Sequence, residues 1–193
     1  MVDLSNNRIV SFVDKQLALT QKRHAEMEQS LAEVMSAIED NARLQLNLHE
    51  LTLEIMRANS LKDATTLLCE GMKARFDLKN VQVWGLAGSY LPTPVPTEQM
   101  QQFMSYMCSH AVANGSKEAF PSETWTTSGV MSGCAFALRG RSTVFGVLVI
   151  GRKDDAFIGE LDTLFLQQFV SLIGFWFEKL CEFTQLVGNK ESK

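Results

Sequence analysis

Cysteine is sparse and scattered in this sequence. Cys69, Cys108, Cys134 and Cys181 form no CxxC pair, and with only three histidines the ligand spacing of a zinc site is missing. A disulfide framework and a structural zinc module are excluded, and a reduced, cytoplasmic compartment is the expectation. Basic residues never run longer than two together and the net charge is −4, so nothing draws the chain to nucleic acid. No stretch of about eighteen uncharged apolar residues occurs, and the opening MVDLSNNR places acid and polar residues where a signal peptide needs basic and then apolar ones. A soluble protein with no membrane partner follows.

Proline and glycine are absent between Ile9 and Asn59, where good helix formers dominate. One long helix over 9–59 is predicted, about 75 Å if unbroken at 1.5 Å per residue. A helix of that length needs a partner. With Leu17 at heptad position a, the a positions are Leu17, His24, Leu31, Ile38, Gln45 and Thr52, and the d positions are Thr20, Met27, Val34, Asn41, Leu48 and Ile55. The apolar seam is strongest over Met27, Leu31, Val34 and Ile38, which predicts a short coiled-coil contact. Past Leu44 the apolar residues wrap more than one face, as when a helix leaves a narrow seam and packs on a domain.

What remains, 60–186, suits one globular domain, with a flexible start at 1–8 and a flexible tail at 187–193. Ser60-Leu-Lys-Asp63 reads as a capping box opening a helix whose Leu61, Ala64, Leu68, Met72 and Phe76 form one stripe. VQVWGLAG, residues 81–88, reads as a strand, and prolines 92, 94 and 96 forbid regular structure in the loop after it. Thr97 caps a helix with Met100, Phe103, Met104, Met107 and Cys108 on one face, expected to stop at Asn114-Gly115. Residues 116–133 read as loop, with a short strand around Trp125. CAFALRG and VFGVLVIG form an antiparallel pair around Gly140–Thr143, and the second, apolar on both faces, is expected at the centre of a sheet. After the Arg152–Asp155 turn a final helix runs over 159–186. Phe165, Phe169, Leu172, Ile173, Phe175 and Trp176 cannot all face one sheet, so a second copy is expected to cover part of it.

The fold class is therefore α+β. The succession of helix, strand, proline-rich loop, helix, a strand pair ending GVLVIG, a turn, Phe157 and a helix opening ELDTLFLQQF resembles the GAF domain over 60–183. More narrowly, RIVSFVDKQ, NARLQLNLHELTLEIM and DTLFLQQF are similar to an uncharacterised bacterial GAF-like family labelled domain of unknown function 484. By that resemblance further helical residues are expected before RIVSF, so a shortened member is one expectation for this chain. The resemblance implies an antiparallel sheet of five or six strands with helices on one face, and a parallel homodimer in which first and last helices pack together. The dimer interface is expected at Met27, Leu31, Val34, Ile38, Leu48, Ile55, Phe169, Ile173 and Trp176.

GAF domains hold small molecules between sheet and covering elements, and Trp84, Met104, Met107, Cys108, Trp125, Phe136 and Arg139 are the candidate ligand-binding residues here, with the cofactor unknown. The plain alternative is that the methionines and tryptophans are ordinary core. A cyclic-nucleotide motif lacks its asparagine and adjacent acid pair around Arg152-Lys153 and Phe157. A bilin attachment would need Cys108 next to a histidine, and His110 is two residues away, so Cys108 reads as a small buried residue beside a surface histidine. No Ser/His/Asp set, carboxylate pair or phosphate-cradling glycine loop is present, and no catalytic residue is assigned. Two readings follow: a non-catalytic, homodimeric sensory or regulatory module that binds a small molecule, or a ligand-free dimeric adaptor for a protein partner. Behind both stands a thiol-based methionine sulfoxide reductase, which would need Cys108 and Cys134 to face each other near Arg139.

Overall fold

The computed structural model describes residues 4–86, 91, 97–141, 143–155, 157 and 164–188. The proline-bearing 92–96 and the start of the predicted last helix, 159–163, lie outside them. The chain divides into two compact units, Met1–Leu46 and Asn47–Lys193.

The first unit is a single helix. It is the leading part of α1, which runs from Leu4 to Met56, earlier at both ends than the sequence predicts. Among its described side chains the apolar seam is uncovered: Met27 is 72% exposed, Leu31 64%, Val34 54% and Ile38 55%.

In the second unit α1 ends in the turn before Ser60. That hydroxyl accepts from the Asp63 backbone N–H at 3.1 Å and donates to the Asp63 carboxylate at 2.7 Å, opening α2 (Leu61–Phe76) as the capping box predicts. Arg75 of α2 meets Glu54 of α1 at 2.5 Å. Then follow β1 (Asn80–Gly85), α3 (Glu98–Ser109), β2 (Val112–Ser116), β3 (Ser132–Arg139), β4 (Val144–Arg152) and α4 (Leu164–Gly188). The strands form one antiparallel sheet ordered β1-β4-β3-β2, so β4 is central, as its unbroken apolar run requires. Four strands are found among the described residues, where the resemblance implies five or six.

Register sets the two faces. Trp84 lies opposite Val147, which lies opposite Ala137; one step along, Val83, Leu148 and Phe136 align and point the other way. Trp84 of β1 joins Ala135, Ala137, Val147 and Val149 under α3. Phe136, Leu138, Leu148 and Ile150, all fully buried, look to α2 and α4. Helices thus cover both faces, not one.

Two local expectations give way to the structure. The helix from Thr97 stops at Ser109 with His110 already extended, and Asn114-Gly115, expected as a helix stop, lies inside β2 opposite Cys134 and Gly133. Pairing with β3 overrides the local turn signal. Trp125 is not in a strand but follows a 3-10 turn, Ser122–Thr124. Leu48, Ile55, Phe169 and Ile173, expected against a second copy, are each at most 6% exposed within one chain. The apolar residues of this unit that do face outward include Leu53, Met56, Leu172 and Phe175.

Candidate functional site

The layer over the α3 face of the sheet begins with Thr97, whose hydroxyl accepts from the Met100 N–H at 3.2 Å and fixes the start of α3. Spacings of four and three then put Met100, Met104 and Met107 on one stripe, all buried against Ala135, Ala137, Val147 and Val149. Small and β-branched residues on the sheet leave room for the long thioethers, which fill irregular space well.

Trp125 closes the other end of this layer. Gly133 and Gly151 are register partners, and with no side chain on either they leave a slot on the sheet. The indole occupies it: a Cβ at Gly133 would come within 2.3 Å of the ring and one at Gly151 within 2.8 Å. The Trp125 Nε1–H donates to the Lys117 carbonyl at 3.2 Å, and the ring meets Phe120 edge-on at 5.4 Å, as Phe120 meets Phe103 at 5.8 Å. The loop carrying Trp125 is tied down by Asn80, whose buried amide donates to the Thr124 carbonyl at 3.0 Å and accepts from the Thr126 N–H at 3.2 Å.

Of the seven residues expected to bind a ligand, Trp84, Met104, Met107 and Trp125 are brought together, as mutually packed core. The other three are not. Phe136 points to the α2/α4 face by strand parity. Cys108 is exposed, contrary to its reading as a buried residue, since it falls off the methionine stripe. Arg139 is exposed and donates to the Cys108 carbonyl at 3.3 Å.

An open cleft of about 480 Å³ lies outside this core, between α3 and the β2 end, lined among others by Phe103, Tyr106, Asn114, Glu118, Phe120 and Pro121. Tyr106 stacks on His110 at 3.9 Å. Hydrogen bonds from its own N–H and the Ser116 hydroxyl hold the Glu118 carboxylate below the usual range. Sequence reasoning missed this cleft. The signal available was Tyr106, which falls off the methionine stripe of α3, but the strand that forms the opposite wall exists only through its pairing with β3.

The thiols do not assemble a redox pair. Burial on the α2/α4 face pushes the Cys134 thiol up to about 12, and burial likewise pushes Cys69 up to about 11, while Cys108 sits on the surface of α3. Among the described residues no three His, Cys, Asp or Glu cluster to hold a metal ion, and no helix is long and apolar enough to cross a membrane.

No curated protein matches the sequence. Among solved structures the chain is similar to the free methionine-R-sulfoxide reductase of Neisseria meningitidis in complex with its substrate (15% identity, TM-score 0.54, 70% of this chain and 88% of that one). It is similar also to the GAF domain of a phosphoenolpyruvate-protein phosphotransferase from Coxiella burnetii (12%, TM-score 0.54, 74% and 95%). A third is the GAF domain of the potassium sensor histidine kinase KdpD from Escherichia coli (15%, TM-score 0.51, 74% and 98%). At such identities the likeness is one of fold. A family profile described as "Protein of unknown function, DUF484" matches residues 2–181. With that match over nearly the whole chain and a GAF-like fold around the closed methionine layer, this chain belongs to the DUF484 family.

Proposed function

We propose that this chain is a non-catalytic GAF-like regulatory module that pairs with a second copy through α1 and acts on a protein partner without enclosing a ligand of its own. The observation that carries this reading is the seating of Trp125 in the Gly133/Gly151 slot, which together with the three α3 methionines fills the space over the sheet with the chain's own side chains. The uncovered Met27, Leu31, Val34 and Ile38 support pairing, because solvent-exposed apolar residues at heptad spacing are the ordinary mark of a helix that lies against another. The separation of Cys134 from Cys108 by the sheet supports a non-catalytic role. Native mass spectrometry of the protein purified from its own host tests the proposal: the expected species is two chains with no small molecule retained, and a stoichiometric retained metabolite would overturn it.

The open cleft beside Tyr106 favours a second reading, a small molecule bound on α3 outside the core. If that holds, Tyr106→Ala abolishes the binding of the retained molecule while Met104→Leu does not.

A further inference from the structure

We infer that two copies of α1 run parallel and in register over Leu17–Ile38, with Arg23 of each copy set against Glu28 of the other. This rests on the helix-paired reading above and, beyond the parallel pairing that the family resemblance implies, adds the register and the charge pair that selects it. In a parallel, in-register pair the g residue of one heptad faces the e residue of the following heptad on the other helix. With Leu17 at a, Arg23 is a g residue and Glu28, five residues on, is that e residue. The other g–e combinations along the seam, Gln16–Gln21, Ser30–Met35 and Ala37–Ala42, carry no charge. The charge information that can choose an alignment therefore sits in one reciprocal pair, formed twice by symmetry.

Within one chain Arg23 and Glu28 do not meet, because residues five apart lie off each other's face of the helix. Glu28 reaches His24 at 3.4 Å, and Lys22 pairs with Glu26 at 3.7 Å, while Arg23 has no ion pair among the described residues. A slip of one heptad sets Arg23 against Gln21 or Met35 and loses both pairs. An antiparallel arrangement sets g against g and e against e, which leaves Arg23 without an acid. The seam also has a built-in end. Asn41 and Gln45 interrupt it, and the next residues of the same phase, Leu48, Thr52 and Ile55, are buried in the second unit, so a second copy has no more of the stripe to use.

Sedimentation equilibrium of the full chain tests the alignment. Arg23→Glu and Glu28→Arg, both on the exposed helix surface, are each expected to weaken the dimer about tenfold, and the double variant to return to within about twofold of the parent. Val34→Cys, made together with Cys108→Ser, should cross-link to itself under mild oxidation, since d residues at equal positions meet only in a parallel, in-register pair. A dimer unaffected by either charge reversal and giving no Val34→Cys cross-link would overturn the alignment and leave helix pairing standing. A monomeric parent chain at micromolar concentration would overturn both.

Discussion

Removing the Trp125 side chain should reveal how tightly the α3 layer is closed. Trp125→Ala takes away an indole in edge contact with Phe120 and hydrogen-bonded to Lys117, and leaves the Gly133/Gly151 slot empty. The ring is only partly buried, so the loss should fall at the low end of the range for large aromatic truncations, about 3 kcal/mol. Gly133→Ala perturbs the same contact from the other side. Its new methyl would lie 2.3 Å from the indole and 3.3 Å from the Ile150 carbonyl, an overpacking that should cost about 2 kcal/mol.

The two changes must not add. With the indole gone, the methyl at 133 meets no ring, and a strand alanine is slightly favoured over glycine, so Gly133→Ala in the Trp125→Ala background should cost close to nothing. The coupling is then about 2 kcal/mol, well above the roughly 0.5 kcal/mol within which independent sites add. Urea unfolding of the four proteins, followed by far-ultraviolet circular dichroism so that loss of the tryptophan does not alter the probe, gives the cycle directly. Free indole at millimolar concentration should raise the midpoint of Trp125→Ala and not that of the parent. Additivity within about 0.5 kcal/mol would refute the slot, and with it the closed face on which the proposed function rests.

Asn80→Ala should destabilise by about 2 kcal/mol, because a fully buried amide that joins Thr124 and Thr126 is lost and leaves the Thr124 carbonyl without its donor, as chemical unfolding would show. In the folded protein Cys108 should react first with a thiol reagent and Cys134 only on unfolding; a fast Cys134 would restore the thiol-reductase reading. Stability should fall as the pH rises above 9. The unfolded thiols of Cys134 and Cys69 lose their protons from about the ordinary value of 9.0 upward while the folded ones hold theirs toward about 12 and 11, so the folded state binds more protons across that window. Cys134→Ala should flatten that decline, and a midpoint independent of pH between 9 and 11 would contradict the burial of these thiols.

What could be seen in the sequence was whatever a short segment decides for itself. The Ser60 and Thr97 caps and the apolar stripes of α2 and α3 depend on residues three or four apart, and the central place of β4 follows from its lack of any polar face. What escaped depends on pairing between distant segments. β2 exists because β3 offers it a partner, and no pattern inside VANGS announces it. That Phe136 faces away from Trp84 follows only from the register of β3, β4 and β1, and the slot for Trp125 exists only because Gly133 and Gly151, eighteen residues apart, fall opposite each other. The surplus apolar surface of α4 points to a second copy in the sequence because one sheet cannot cover it; its buried side is covered inside the chain, and Phe175 instead carries Arg141 5.3 Å above its ring.

The connection between β3 and β4 has a practical bearing on how the protein can be altered. A four-residue hairpin loop is ordinarily the first choice for inserting a tag, a fluorophore site or a new pair of termini. Here it is clasped: the Glu178 carboxylate of α4 accepts from the Arg141 N–H at 3.0 Å and fills the space that a side chain at residue 140 would need. An insertion there would pry the hairpin from α4. Gly129 offers the better opening, with a positive φ of 83° and no atom within 4 Å of where a side chain would start.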